Sequence, residues 1–245
     1  MSDPALFIDI DFYQKEKDGE MIHGDVFQSM KFDEEERAVA VLSDGLGSGV
    51  KANILASLTS CMAMKFVAHD RDIIHSAEII MGALPVCSER KISYATFTVV
   101  DTCLNGPTRI IEMGNPRFLL IRRGHSVQVP YREVSSPQWR DRIIRLSDIE
   151  IQGGDRLLLF SDGISQAGIN GGENGRQWEE EGLTDFVLEQ VEKQPAISSY
   201  ELSRTIVHAA LRQHPDCTAG DDLSCACLYY RKPRKLLVAT GPPFD

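Results

Sequence analysis

At 245 residues, 42% of them hydrophobic and 25% charged, the chain can bury a core without disulfide or metal staples, and its length suits one large domain better than several. Its formal charge of −10, with no long basic stripe, argues against a nucleic-acid partner and means that any phosphate ligand needs a local cation. Six cysteines without a CxxC pair or secretion signal read as reduced core thiols of a cytoplasmic protein, and no apolar run reaches the ~18 residues of a membrane span.

Residues 6–13 alternate in polarity as a strand does, and strands over 21–30 and 37–43 follow, joined by the charged turn 32–36. From Ser48 the period changes. Val50, Ile54, Leu55, Leu58, Cys61, Met62 and Phe66 recur at three- and four-residue steps, the apolar face of a long amphipathic helix, and a second helix is expected over 72–84. Strands return at 93–100, 108–113, 117–121, 126–131, 143–149 and 156–161, separated by turn signals such as Gly114-Asn115-Pro116. A helix around Leu183, Phe186, Val187 and Val191 precedes another that opens on the capping-box pattern Ser198-Ser199-Tyr200-Glu201. A last strand, 223–230, leads into a Pro-rich tail, and the glycine-rich stretch 168–175 reads as a surface loop.

This order excludes a regular βαβ repeat. It predicts an α+β fold, a four-layer αββα sandwich of two antiparallel β-sheets flanked by helices, in one domain over 1–232 with a tail at 233–245.

Two buried-looking strands end alike, in Ser43-Asp44-Gly45 and Ser161-Asp162-Gly163. Gly220-Asp221-Asp222 stands just before the last strand, and Gly24-Asp25 interrupts the second. Any one of these is a common turn dipeptide. Four carboxylates gathered where buried strands meet loops would repel one another, and a cation removes that conflict. Oxygen donors without a matching His or Cys set favour Mg²⁺ or Mn²⁺ over zinc, and two such ions can activate water for attack on a phosphoryl group. His69 and His75, six residues apart near Asp70 and Asp72, do not share a helical face and read as a solvated helix junction.

Gly24-Asp25, Ser43-Asp44-Gly45-Leu46-Gly47-Ser48-Gly49, Gly154-Asp155-Arg156 through Ser161-Asp162-Gly163, and Asp221-Asp222-Leu223-Ser224 resemble, in order and spacing, the bacterial branch of the PPM phosphatases. The likeness is greatest to the SpoIIE-like phosphatase domains of the stage II sporulation protein E family. Ser93-Tyr94-Ala95-Thr96 and Glu112-Met113-Gly114-Asn115-Pro116 extend it, so that it covers roughly residues 6–231.

The resemblance implies a metal-dependent protein serine/threonine phosphatase with two Mn²⁺ or Mg²⁺ ions. It makes Asp44 the bridging ligand, with Asp25 and the Gly45 carbonyl on one ion and Asp162 and Asp221 on the other. Asp44 and Asp25 would act catalytically through the water those ions activate, and Asp222 would not be a ligand. Leu46 departs from the His that several members carry there, which leaves metal-activated water or His23 to protonate the leaving oxygen. Also implied are a phosphoprotein substrate, such as an anti-sigma-factor antagonist, and regulation by a protein partner, by a homodimer contact or by the two helices after Asp44. The residues alone leave open another two-metal phosphoryl hydrolase, such as a phosphodiesterase, and a non-catalytic regulatory module.

Overall fold

The computed structural model describes residues 6–69, 73–83, 95–104, 106–135, 142–167, 178, 180–214 and 217–231. Its elements are β1 (Phe7–Lys15), β2 (Asp25–Phe32), β3 (Arg37–Gly45), α1 (Gly49–His69), α2 (Ile73–Ala83), β4 (Ala95–Cys103), β5 (Pro107–Met113), β6 (Leu119–Arg122), β7 (His125–Val127), β8 (Arg132–Ser135), β9 (Ile143–Glu150), β10 (Arg156–Phe160), α3 (Asp162–Ser165), α4 (Glu180–Lys193), α5 (Ser199–Gln213) and β11 (Leu223–Arg231). The glycine-rich stretch, the tail at 233–245, Asp70, Asp72 and Cys87 lie outside the described residues.

The strands form two antiparallel sheets, β1-β11-β10-β6-β7 and β2-β3-β4-β5-β9-β8. Period-two alternation on strands buried on both faces builds three apolar layers. On β3, Ala38, Ala40 and Leu42 meet Leu157, Leu159, Ala226 and Leu228 of the five-stranded sheet, while Val39 and Val41 face Ala63, Met64 and Val67 of α1. On β11, Cys225 and Cys227 pack instead toward Leu202, Ile206 and Ala210 of α5. The result is the expected α+β sandwich, with helices on both outer faces.

The chain crosses between sheets twice near β6 and β7, which modifies the expected strands. Residues 126–131 do not make one strand: β7 pairs with β6, whereas β8 pairs with β9 in the other sheet. Pro130 lies in the crossing, where its missing N–H costs no ladder bond. The strand expected from residue 21 begins only at Asp25, because 16–24 fold over the sandwich edge. The capping box at Ser198 is present, with Glu201 donating its N–H to the Ser198 hydroxyl at 3.2 Å.

The apolar face read on α1 is corrected by the structure. Val50, Ile54, Leu58 and Cys61 are exposed, Leu55, Met62 and Phe66 are half-buried with the last two packed against the core, and the helix buries Ala52, Ala56, Thr59, Ser60, Ala63, Met64 and Val67. Small side chains let the helix lie close to β3, so closeness rather than side-chain size selects the buried face. Cys61 and Cys217 are likewise free but exposed rather than core thiols, while Cys225 and Cys227 are buried.

This division of α1 has a measurable consequence. Ala63→Leu, which overfills the helix–sheet contact, should cost about 1–3 kcal/mol in urea unfolding. Ile54→Ser on the exposed face should stay within about 0.5 kcal/mol of the parent. The reverse order would contradict the described orientation.

Candidate active site

The site is built by strand register. Asp25 opens β2 and faces Asp44 near the end of β3 as its direct cross-strand partner. In the other sheet, Phe160 of β10 pairs with Cys225 of β11, so Asp162, just past β10, and Asp221, just before β11, reach the same edge. Ser161 strengthens that end by donating its N–H to the Ser224 carbonyl at 3.0 Å. The four carboxylates singled out in the sequence therefore sit at one edge of the sandwich, two from each sheet.

Glycines permit the close approach. A Cβ on Gly45 would stand 2.1 Å from the Ala52 carbonyl oxygen, so the end of β3 lies directly against the first turns of α1. A Cβ on Gly24 would lie 2.7 Å from a carboxylate oxygen of Asp222.

Burial chiefly pushes the Asp44 carboxyl up to about 9, and the charges of Asp25, Asp162 and Asp221 push the same way. Burial also takes Asp25, only 3% exposed, to about 7, against the hydroxyls of Ser224 and Ser161, which favour its charged form. Ser224 donates to Asp25 Oδ2 at 2.5 Å and accepts from the Gln14 amide at 3.0 Å. The Gln166 amide donates to Asp162 Oδ2 at 3.3 Å.

Asp222 is occupied otherwise. One of its oxygens accepts from the Gly24 N–H at 2.9 Å and the other from the Lys17 N–H at 3.1 Å. It thereby holds the 16–24 segment down at the edge and fixes the residue before Asp25. His23 lies between Asp222 and Glu16, 3.9 Å and 3.5 Å away, and its buried Nδ1 has no hydrogen-bond partner. Ser161, Asp222 and Ser224 lie within the motifs read in the sequence, but their contacts and that of Gln166 carry no sequence signal, since each depends on a partner distant in the chain or on a local turn.

An all-oxygen donor set in which Asp25, Asp44 and Asp221 are pushed toward their protonated forms, chiefly by burial, suits a hard divalent cation. Among the described residues no three His, Cys, Asp or Glu side chains are drawn together into a ready-made cage. The edge is an open acidic site, compatible with an ion that keeps several waters.

Fold and site together define the class: this is a PPM-type protein serine/threonine phosphatase domain. The family model for Stage II sporulation protein E (SpoIIE) matches residues 34–231, and the chain belongs to that family. No curated protein matches it in sequence. The phosphatase domain of the cell fate determinant SpoIIE from Bacillus subtilis is similar over 98% of this chain and 99% of its own, with TM-score 0.68 and 16% identity. RsbX in complex with magnesium is similar over 91% of this chain and 95% of its own, with TM-score 0.62 and 19% identity. The S. agalactiae serine/threonine phosphatase gives 91% and 99%, TM-score 0.64 and 14% identity. At these identities the likeness shows the fold. PPM phosphatases are metal-dependent, and no helix among the described residues of this chain is long and apolar enough to cross a membrane.

The resolved shifts of Asp25, Asp44 and Asp221 are all upward, so the metal-free fold gains stability below the ordinary carboxylate pKa and loses it as pH rises through about 7 for Asp25 and about 9 for Asp44. An ion must displace those protons. Mn²⁺ affinity should therefore rise between about pH 6 and pH 9, with roughly one to two protons released near pH 7. Calorimetry in buffers of different ionisation enthalpy reads this directly, and a pH-independent affinity without proton release would refute it.

Proposed function

We propose that this chain hydrolyses phosphoserine or phosphothreonine on a protein substrate at the edge formed by Asp25, Asp44, Gly45, Asp162 and Asp221. The observation that carries the reading is the convergence of four carboxylates, two from each sheet, on one edge of a PPM-type fold. Asp44 would bridge two Mn²⁺ or Mg²⁺ ions, with Asp25 and the Gly45 carbonyl on one and Asp162 and Asp221 on the other. Bound there, the ions would supply Lewis acidity and an acidified water.

The chain's own residues do the positioning. The Ser224 hydroxyl fixes one oxygen of Asp25, Gln166 orients Asp162, and Asp222 sets the backbone just before Asp25. Leu46 offers no proton to the departing serine oxygen, so that proton comes from water at the site or from His23. The bond broken is between phosphorus and the substrate oxygen; water supplies the new oxygen on phosphorus.

Residues 1–232 form the catalytic domain in this reading, and a small anti-sigma-factor antagonist is the kind of substrate its family membership supports. Regulation would enter through a protein partner or a second copy of the chain in the cytoplasm, and the exposed row Val50, Ile54 and Leu58 supports a contact on α1.

With Mn²⁺ the protein should hydrolyse p-nitrophenyl phosphate and a phosphoserine peptide, and lose both activities in EDTA. Turnover that survives thorough chelation would remove the metal mechanism, and a strong preference for bis-p-nitrophenyl phosphate would favour a phosphodiesterase.

Adjacent aspartates give a sharper comparison. Asp221→Asn should abolish measurable turnover and weaken Mn²⁺ binding. Asp222→Asn puts an amide where two backbone N–H groups donate, and should lower the rate by about 10- to 100-fold while leaving it detectable. An inactive Asp222→Asn beside an active Asp221→Asn would reverse the two roles.

A further inference from the structure

We propose that a trench opening on the catalytic edge seats an extended segment of the substrate protein beside its phosphoserine, and that Arg145 of β9 selects an acidic side chain in that segment. The inference rests on the phosphatase reading above and names a feature of the substrate. Between the β5–β6 turn and β7 on one side and α3 and α4 on the other lies a cavity of about 1000 Å³. Asp162 and Gln166 line it where it meets the site, and Tyr131 and Arg145 line it farther in. Its volume is at the top of the roughly 300–1,000 Å³ usual for ligand pockets, which suits a stretch of chain better than one side chain.

Strand register fixes how far Arg145 stands from the chemistry. Asp44 pairs with Thr96, and the row through Thr98, two residues on, continues to Glu112 and then Arg145. Arg145 therefore shares the inner face of its sheet with Asp44, three strands away. Three strand spacings and two residue rises amount to about 15 Å, which roughly four or five extended residues span.

The charge of Arg145 is not used up by the fold. Its cross-strand neighbours are Glu112 and Glu133. Glu112 is buried, and its oxygens are taken, one by the Phe118 N–H at 2.9 Å and the other by the Arg117 guanidinium. Burial raises the Glu112 carboxyl, and Arg117, the Phe118 N–H and Arg145 work against that rise. Two guanidinium groups thus serve one buried carboxylate. Glu133 is exposed, where pairing counts for little. Among the described residues no hydrogen bond or salt bridge holds the half-buried Arg145 guanidinium, which lies over the exposed Tyr131 ring, 5.7 Å from its centroid. A planar fork so presented can take a carboxylate through two parallel bonds. The facing wall carries Glu181 and Asp185 of α4. Side chains of an extended segment alternate in direction, so an acid turned to Arg145 leaves its neighbours turned to α4, where further acids are repelled.

The test uses the Mn²⁺-loaded protein and phosphoserine peptides of otherwise neutral sequence. One Glu is moved position by position away from the phosphoserine on either side, each peptide being compared with its Gln counterpart. At about four residues from the phosphoserine on one side, Glu should raise kcat/KM by about tenfold over Gln, chiefly through KM. In Arg145→Ala that ratio should fall to within about twofold of unity, while Arg145→Lys should keep part of it. Arg145→Gln gives the same reading where the alanine variant does not fold. Added salt should shrink the ratio in the parent. Each ratio compares two peptides on one protein, so a general change of activity in a variant does not alter it. Equal rates for Glu and Gln at every position in the parent would overturn the proposal, as would a preference that survives in Arg145→Ala. A parent without turnover on any peptide would sink the phosphatase reading instead. The same peptides, labelled and titrated by fluorescence anisotropy, would then still decide whether the trench selects the acid.

Discussion

The two sheets share no hydrogen-bonded ladder, yet each contributes two of the four carboxylates, so everything at the edge depends on how one sheet is fixed to the other. At the site edge two side chains tie the sheets, while farther along Tyr230 reaches Thr102 and Lys31 reaches the Ile8 carbonyl. Asp222, at the mouth of β11, accepts the Gly24 N–H from the strand entry of the opposite sheet, and Ser224, two residues on, donates its hydroxyl to Asp25. Both bonds are buried, where a hydrogen bond left unmade is costly. The missing side chain at Gly24 matters for the same reason, since a Cβ there would collide with the Asp222 carboxylate and push the sheets apart.

Holding like charges together raises the free energy of the metal-free edge, and the apolar layers stabilise it. β3 and β10 contribute to a layer on each side of themselves, which makes the two Ser-Asp-Gly strands among the least deformable parts of the molecule. The crossing from β5 to β6 is pinned as well. Glu112 accepts from the Phe118 N–H at 2.9 Å and pairs with Arg117, while Asn115 reaches Thr96, Thr98 and the Leu42 carbonyl. Asn115 thereby braces β3 two residues before Asp44, so the polar network serves the same strand end as the apolar core.

Much of this was legible in the sequence because it is local. Period-two alternation, the capping box and the repeated Ser-Asp-Gly strand ends each need only a few adjacent residues to be recognised. The end of β7 at Val127 was not, since alternation continues through 128–131 although only Ser126 and Val127 of the expected strand are paired, and β8 starts at Arg132 in the other sheet. Asp222 illustrates the limit at the site. Its sequence context does not tell it from its neighbour Asp221, and what sets it apart in the fold is contact with the N–H groups of Lys17 and Gly24, some 200 positions away. The four-residue helix α3 is too short to leave a periodic signal.

The inverted face of α1 has the most instructive cause. Its N-terminal end is drawn into the site: Ser48 donates to Glu20 at 2.8 Å, Asn53 donates to the His23 carbonyl at 2.8 Å, and the Ala52 carbonyl occupies the space that Gly45 leaves. Its C-terminal end is held by Arg37, which donates to the carbonyls of Val67 and Ala68 and is itself clamped by Asp101 at 2.7 Å. Anchored at both ends against β3, the helix buries small residues, Ala52, Ala56, Thr59, Ser60 and Ala63, over most of its length, and Met64 and Val67 join them only in its last turns. Hydrophobic periodicity correctly marked a helix with a bulky apolar stripe, but the short distance demanded by Gly45 decides which stripe is buried. The N-terminal part of the bulky one, Val50, Ile54 and Leu58, is left facing solvent by the same contacts that set the backbone at Asp44 and Gly45, while Met62 and Phe66 still pack against the core.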